Sequence, residues 1–192
     1  MENKPFIKRF CGHFCTITKH KLTVQNLCFK CGLYRQGLAH DWSKYSPTEF
    51  WAGVKYYCGD RSPISKEKEQ LGYSAAYLHH KGRNKHHWEY WVDRVFTSKK
   101  LTCIEMPFNY VIECVLDKIA ASKVYKKEDY NTDYPYDFFL NSAECYIMNE
   151  KTSQTIQLLL LYLKENGEEK ALQYYKELYH KWKLDKSFTL VK

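Results

Sequence analysis

The chain of 192 residues has the length of one domain with a hydrophobic core of its own. Hydrophobic residues make up 44% of it and charged residues 27%, a balance that excludes a disordered chain. No apolar run approaches the ~20 residues that a membrane-spanning helix needs, and residues 1–5 lack the apolar segment of a secretion signal. We therefore expect a cytoplasmic protein that does not enter a membrane.

The charge of the chain is positive: 30 Lys and Arg against 22 Asp and Glu give a formal net charge of +8. Such a charge suits an anionic partner, a nucleotide or a nucleic acid, although basic residues also form ordinary solvated surfaces. Eight cysteines in a chain without a secretion signal are expected to be thiols or metal ligands rather than disulfides.

Apolar residues at helical spacing, together with cap residues, predict an all-α protein. Thr16 or Thr18 caps the first predicted helix, which ends at Gly32. The sequence SPTE at 46–49 is a capping box with proline at the first helical position. In chain order, the predicted helices cover residues 16–32, 34–41, 46–57, 63–80, 84–88, 108–124, 150–165 and 168–182.

Two segments do not follow the helical pattern. Residues 101–106 are predicted to be short and partly β-like, and residues 130–136 form a loop that contains proline. The sequence shows neither an internal repeat nor a linker. We therefore predict one helical domain over residues 1–192, whose core covers about residues 10–165 and on which the last two helices, in residues 150–182, pack.

Four residues far apart in the sequence have the side chains of a metal site. His20 lies on the first predicted helix, and the pair His40-Asp41 ends the second. Asp117 lies far downstream, on another helix and among apolar and small neighbours. A divalent metal ion needs neutral imidazoles and carboxylates that converge from different elements and leave positions open for water or substrate. We predict that these residues hold a metal ion, although each alone could also be a hydrogen-bonded or surface residue.

The most distinctive segment is HHKGRNKHHWEYW at 79–91, which places four imidazoles among cations and aromatic residues. It offers ligands for a second metal ion: His80, together with His86 or His87. Neighbouring residues on a helix point about 100° apart. If each histidine pair lies at a helix end, only one member of each pair faces the same ion, and we favour His80 and His86.

Three charged residues near these ligands could act on a substrate. Arg83 and Lys85 suit phosphate binding, as a planar fork and a point charge, or belong to a solvated loop. Glu113 precedes Asp117 by one helical turn. It is a candidate for orienting a ligand or a water molecule, or for a surface ion pair.

The order of His20, His40-Asp41, later histidines and Asp117 resembles the H…HD…H…H…D pattern of the HD-domain superfamily. Members of that superfamily are all-helical and bind metal, and most are phosphohydrolases that act on nucleotides or related phosphate esters. The sequence HDWSK at 40–44 also resembles the HD-x-x-K extension of the superfamily. This resemblance implies that Lys44 lies near the substrate phosphate.

A narrower resemblance covers about residues 10–165. The segments HDWSKYSPTEF at 40–50 and HHKGRNKHHWEYW at 79–91 are similar to a family of bacterial and viral proteins known only as a domain of unknown function. The double-histidine segment makes this resemblance the more specific of the two, but it implies no activity.

The cysteines offer a rival metal site. Cys11 and Cys15, followed by Cys28 and Cys31, have pairings that a structural zinc site uses. Cys28 and Cys31 lie inside a predicted helix, however. Buried thiols that behave as small hydrophobic residues explain them better than zinc.

The leading hypothesis is a metal-dependent phosphohydrolase that acts on a nucleotide or other small phosphate ester. It would use one or two divalent ions, and Mn²⁺, Fe²⁺, Co²⁺ and Zn²⁺ all accept mixed His and Asp ligands. The sequence lacks the motifs of P-loop NTPases and serine hydrolases. Two alternatives stay open: an HD-like di-iron protein that oxidises its substrate with dioxygen, and a non-enzymatic basic protein that binds nucleic acid.

Overall fold

The structure is a computed structural model that describes residues 5–97, 99–142 and 147–191. Its α-helices are α1 (Phe6–Lys30), α2 (Tyr34–Ala39), α3 (Pro47–Tyr56), α4 (Pro63–Leu71), α5 (Ala75–Lys81), α6 (Phe108–Lys126), α7 (Tyr134–Ser142), α8 (Glu150–Asn166) and α9 (Glu168–Leu184). Short 3₁₀ turns cover Trp42–Tyr45, Trp88–Trp91 and Lys127–Asp129, and two strands cover Val92–Arg94 (β1) and Leu101–Cys103 (β2). The predicted all-α class is confirmed. None of the helices in the described ranges has both the length and the apolar character to cross a membrane.

Cap residues determine where several helices begin. Ser46 accepts a hydrogen bond from the backbone N–H of Glu49 at the start of α3. The side chain of Asn149 accepts one from the N–H of Thr152 at the start of α8. These bonds satisfy N–H groups that have no partner inside the helix. Both helices therefore begin where the sequence predicts.

The hydrophobic core lies between α1, α6, α8 and α9. Val24 and Leu27 of α1 and Ile119 of α6 belong to it, with Leu160 of α8 and Tyr175 of α9, and each is at most 3% exposed. Burial of apolar surface is the dominant favourable contribution to folding. This packing therefore holds α1 and α6 side by side, and both helices also carry buried polar residues, among them His20 and Glu113.

Helix α1 begins at Phe6, well before the predicted start. Its first half packs against α3 and the residue that follows it: a Cβ atom on Gly12 would lie 2.5 Å from the Tyr57 ring. Phe10 and Phe50 make an edge-on ring contact in the same region, with centroids 5.3 Å apart. Because tertiary packing supplies most helix stability, this start needs no cap residue that a sequence pattern could reveal.

The helix predicted from residue 63 to His80 is in fact two helices. Gly72 ends α4 with a φ of 79°, a left-handed conformation that favours glycine. Ser74 then caps α5, where its side chain accepts a hydrogen bond from the N–H of Tyr77. The break lets α5 pack on α3 with His80 directed toward the end of α2.

Three further segments differ from the predictions. Residues 84–87 form a turn rather than a helical start. The β-like segment is confirmed in part as β2, which pairs in antiparallel register with the unpredicted β1, Val92 opposite Cys103. The predicted loop at 130–136 contains the start of α7, since Pro135 occupies the first helical turn, where proline is tolerated.

Candidate metal centre

Four of the predicted ligands meet at one point of the fold. His20 lies on α1, the pair His40-Asp41 follows α2, and Asp117 lies on α6. Each offers one ligand atom, and these atoms all lie within 4.8 Å of one another. Helix α1 packs against both α2 and α6. The contacts that build the fold therefore also bring these side chains together, and we name them the first ligand group.

The second ligand group shares Asp41 with the first. His80 of α5 and His86 and His87 of the following turn place ligand atoms within 4.8 Å of one another and of Asp41. The 100° step between helical neighbours separates His79 from His80. His86 and His87 lie in a turn without that step, so both face the group. The expectation of one ligand per pair required a helix here that the structure does not have.

Asp41 is the residue on which both groups depend, and it is 1% exposed. Its φ of 55° is unusual for a residue with a side chain. Its Oδ2 atom lies 3.3 Å from His40 Nε2 and 3.5 Å from His20 Nε2. Its Oδ1 atom lies 3.3 Å from His80 Nε2 and 3.4 Å from His86 Nε2. One carboxylate oxygen therefore faces each ligand group.

Several buried polar atoms at this point have no hydrogen-bond partner among the described residues. They are the Oδ1 atom of Asp41 and the Nε2 atoms of His40, His86 and His87. A buried polar atom without a partner costs about 1–3 kcal/mol. Divalent metal ions bind imidazole nitrogen and carboxylate oxygen, so this set of atoms fits metal ions and gains partners from them.

The other ring nitrogen of three imidazoles has a carboxylate partner. Glu113 Oε1 lies 2.9 Å from His40 Nδ1 and 3.2 Å from His86 Nδ1. Glu49 Oε2 lies 2.7 Å from His80 Nδ1. With the proton on Nδ1, each Nε2 atom keeps its lone pair for a metal ion, as metal-binding histidines commonly do. Glu113 is 4% exposed and contacts two of the predicted ligands, and its role in orienting them for a metal ion stays a prediction.

His40, His86 and Glu113 also form a third set of ligand atoms within 4.8 Å of one another. Both imidazoles face Glu113 through Nδ1, at hydrogen-bonding distance. We therefore assign this set to hydrogen bonding, because it leaves the Nε2 atoms directed at Asp41.

His87 has a hydroxyl partner instead of a carboxylate. The Tyr77 hydroxyl lies 3.4 Å from His87 Nδ1 and donates to Glu89 Oε1 at 2.7 Å. Burial, together with the neighbouring His86 and His80, holds the pKa of His87 well below its usual value. His87 is therefore neutral at physiological pH, the form that binds a metal ion.

Both carboxylates of the first ligand group, Asp41 and Asp117, are ionised. Burial raises the pKa of Asp41, but His40 and Lys44 outweigh burial and hold that pKa well below its usual value. Burial likewise opposes ionisation of Asp117, and its contact with His20 contributes to a pKa well below the usual value. Both carboxylates thus carry the charge that attracts a cation.

Two lysines support the turn that carries His40 and Asp41. Lys44 Nζ lies 2.5 Å from Asp41 Oδ2, and the Lys44 side chain is 24% exposed. Lys21 donates to the backbone carbonyls of Leu38 at 2.9 Å and His40 at 2.7 Å. These two bonds satisfy carbonyls at the end of α2. The sequence analysis missed Lys21, since a single lysine on a helix matches no motif.

Two other polar residues at the centre also escaped the sequence analysis. Glu49 was assigned only to the capping box, yet its carboxylate holds His79 Nδ1 at 2.6 Å as well as His80. Asn84 was predicted only as the start of a helix over residues 84–88. Its amide instead donates to Ser43 Oγ at 2.7 Å and to the His80 carbonyl at 2.8 Å. Long-range partners of this kind leave no local spacing signal.

The predicted phosphate-binding cations lie outside both ligand groups. The Arg83 guanidinium donates to the backbone carbonyl of His79 at 3.4 Å. Lys85 Nζ lies 5.7 Å from the centroid of the Tyr90 ring. Their role in binding phosphate stays a prediction.

The cysteines of the rival zinc site do not converge. Cys28 and Cys31 are buried in the hydrophobic core, whereas Cys11 and Cys15 are exposed. Cys11 and Cys28 lie on the same helix, and at 1.5 Å per residue they are roughly 25 Å apart. Buried thiols explain Cys28 and Cys31, as the sequence predicts.

The centre opens to solvent at Asp117. The Asp117 side chain is 20% exposed, against 1% for Asp41 and 0% for His40. Asp117 lines a cavity of about 360 Å³ between α6, α7 and the start of α4. Small-molecule sites commonly enclose 300–1,000 Å³. A small ligand in this cavity would reach the first ligand group from the side of Asp117.

Residues 9–161 match a family of unknown function (DUF5662). The chain belongs to this family. The matched residues include every member of both ligand groups. No curated protein and no solved structure gives a significant match to the chain. The family description states no activity, and the resemblance to the HD-domain superfamily stays a prediction.

Proposed function

We propose that this member of the family is a metal-dependent phosphohydrolase that acts on a nucleotide or another small phosphate ester. The observation that carries the proposal is that both ligand groups share Asp41. Its Oδ2 atom faces two imidazoles of the first group, and its Oδ1 atom faces two imidazoles of the second. Paired divalent ions are common in phosphatases and nucleases. The order of the ligands along the chain, which resembles the HD pattern, supports the same function.

Divalent ions in such a centre activate water as a nucleophile and stabilise charge on a phosphoryl oxygen. The protein determines the position of the ligands, since Glu113 and Glu49 accept hydrogen bonds from the Nδ1 atoms of the imidazoles. The first ligand group is accessible to substrate at Asp117, because the side chain of this residue is partly exposed. Imidazole and carboxylate ligands suit Mn²⁺, Fe²⁺, Co²⁺ and Zn²⁺.

Lys44 supplies a positive charge at the centre. Its Nζ atom lies beside Asp41 and its side chain is 24% exposed, so the ammonium group reaches both the shared carboxylate and an entering anion. A fixed cation at this place stabilises charge on the phosphate in the transition state. Arg83 and Lys85 are proposed to attract the anionic substrate from the surface.

Elemental analysis of protein purified without chelator, combined with a phosphatase screen, tests the proposal. We expect two equivalents of divalent metal and hydrolysis of nucleotides or small phosphate esters. A chain that holds no metal after reconstitution with each of the four ions would contradict it.

Lys44→Ala separates binding of the ion from action on the substrate. We expect the variant to keep its metal, because Lys44 belongs to neither ligand group. A hydrogen bond to a charged group contributes about 1.5–3 kcal/mol, so kcat/KM should fall roughly 10- to 100-fold. Lys183→Ala, which removes an exposed lysine of α9, is the matched control. Unchanged kinetics in Lys44→Ala would remove Lys44 from the site.

The same preparations test the two other functions. The three imidazoles of the second ligand group favour an iron centre as the next candidate. Iron-loaded protein that consumes dioxygen with a substrate, and hydrolyses no ester, would support an oxygenase. Binding of nucleic acid that weakens steeply with salt and persists in Asp41→Asn would support a non-enzymatic binder.

A further inference from the structure

The cavity beside Asp117 is large enough for more than a phosphate group. Its volume is about 360 Å³, and its walls come from three separate helices. Asp117 stands at one side of it and is the most exposed residue of the first ligand group. A phosphate ester whose phosphate meets the ions at Asp117 therefore has the cavity for its organic group.

Helix α6 forms one wall with two neighbouring rows of side chains. Because residues four apart share a helix face, each row runs along the cavity for two turns. The rows are Asp117, Ala121 and Tyr125, and Lys118, Ser122 and Lys126. At 1.5 Å per residue, the first row extends roughly 12 Å from the metal centre. The small residues in the middle leave room for a flat group against the helix.

Helix α7 forms the opposite wall, and this wall is apolar. Tyr134, Pro135 and Phe138 line it. The Phe138 side chain is 64% exposed, although large apolar side chains are usually covered. Lys126 Nζ lies 4.3 Å from the centroid of the Tyr134 ring. The wall thus presents aromatic side chains to whatever enters the cavity.

The charged residues of the cavity are of both signs. Apart from Asp117, they are Asp60, Arg61, Lys118 and Lys126. Arg61 already forms an ion pair with Glu69. Lys118 lies next to Asp117 on α6, so it brings positive charge to the end of the cavity beside the candidate metal centre, which suits an anionic substrate.

We propose that this cavity binds the organic group of the substrate and that this group is an aromatic ring system, such as the base of a nucleoside monophosphate. The inference rests on the proposed phosphohydrolase function and adds its substrate class. The phosphate lies at Asp117 and Lys118, and the ring lies against Phe138. Stacking on an aromatic side chain contributes about 1–3 kcal/mol per base. Phe138 therefore determines which esters bind well.

Steady-state kinetics with two phosphate monoesters test this assignment. The metal-loaded full chain is assayed with adenosine 5′-monophosphate, which has a ring system, and with glycerol phosphate, which has none. We expect a higher kcat/KM for the adenosine ester. Phe138→Ala should lower this value on the order of tenfold through KM and leave the value for glycerol phosphate unchanged.

Phe96→Ala is the matched control, since Phe96 is a 96% exposed phenylalanine that does not line the cavity. It should behave as the wild type with both esters, and circular dichroism should show the same helix content for all three proteins. Equal kcat/KM for both esters in the wild type, or equal losses for both in Phe138→Ala, would overturn the assignment.

Equilibrium dialysis of adenosine 5′-monophosphate against the Mn²⁺-loaded chain separates this inference from the proposed function. If neither ester is hydrolysed, the proposed function fails. Binding that weakens on the order of tenfold in Phe138→Ala would still support the cavity as an aromatic-phosphate site. Absence of binding to the wild type, or the same affinity in Phe138→Ala, would overturn it.

Discussion

Helices α1 and α6 each contribute buried side chains to two regions, the hydrophobic core and the candidate metal centre. Burial has opposite effects on stability in the two regions. In the hydrophobic core, Val24 of α1 and Ile119 of α6 are 0% exposed among other apolar groups. In the metal centre, His20 of α1 and Asp117 of α6 meet only 2.9 Å apart. Burial itself stabilises the core side chains, whereas it destabilises polar ones that lack partners.

This contrast shows that the core and the metal centre depend on different conditions. The core side chains pack against one another, whereas among the described residues the centre has carboxylate and imidazole atoms without a hydrogen-bond partner, which a cation would satisfy. A ligand that binds only the folded state raises the free energy of unfolding. Metal should therefore stabilise the protein, and substitutions should affect one region with little effect on the other.

Asp41→Asn should produce the largest effect, by disabling the metal centre alone. The substitution keeps the shape of the side chain but removes the charge that both ligand groups share. We expect loss of bound metal from both groups, measured by elemental analysis, with the helical circular dichroism signal retained. Asp93→Asn, at an exposed position in β1, is the control and should keep its metal. Wild-type metal content in Asp41→Asn would show that the groups do not share this carboxylate.

Leu160→Ala should have the converse effect, because Leu160 lies in the core on α8, which carries no ligand. Removal of a buried leucine side chain lowers the free energy of unfolding by about 2–5 kcal/mol. Urea denaturation measures this loss, and the folded protein should keep the metal content of the wild type. Loss of metal from folded Leu160→Ala would mean that core and centre are coupled.

The same contrast explains which parts of the structure the sequence could predict. Helix α8 was predictable because its cap, Asn149, and its apolar face are both local patterns. The candidate metal ligands stood out because histidines and carboxylates followed an order that resembles that of a known superfamily. Glu49, in contrast, contacts His80 across 31 positions, and no local pattern records such a contact. The start of α1 at Phe6 likewise depends on tertiary packing, so no local sequence pattern marks it.

Glu113→Gln tests the link between the two ligand groups. Glu113 faces one imidazole of each group, His40 and His86, so removal of its charge should weaken both. Loss of a residue that orients metal-binding histidines typically lowers metal affinity 10- to 100-fold. Competition with a chromophoric chelator measures the affinities, and Glu177→Gln, exposed on α9, is the control. A change in the affinity of one ion alone would show that Glu113 orients a single imidazole.

His13 provides the smallest test, since it is a buried imidazole outside both ligand groups. It is 5% exposed beside Phe50, and its Nδ1 atom has no partner among the described residues. Burial, with a smaller contribution from Lys44, lowers the pKa of His13 from 6.5 to about 4. Between pH 6.5 and pH 4 the unfolded chain therefore binds a proton at His13 more readily than the folded chain does. The free energy of unfolding is unaffected by His13 above pH ~6.5 and decreases as the pH falls toward 4.

We therefore expect the free energy of unfolding to fall more in the wild type than in His13→Phe when the pH is lowered from 7 to 5. The difference should be roughly 1–2 kcal/mol, measured by urea denaturation at both pH values. The other ionisable groups are the same in both proteins, so their contributions cancel in the comparison. His180→Phe, at an exposed position on α9, should retain the pH dependence of the wild type. Equal losses in the wild type and His13→Phe would show that burial without a carboxylate leaves this imidazole unaffected.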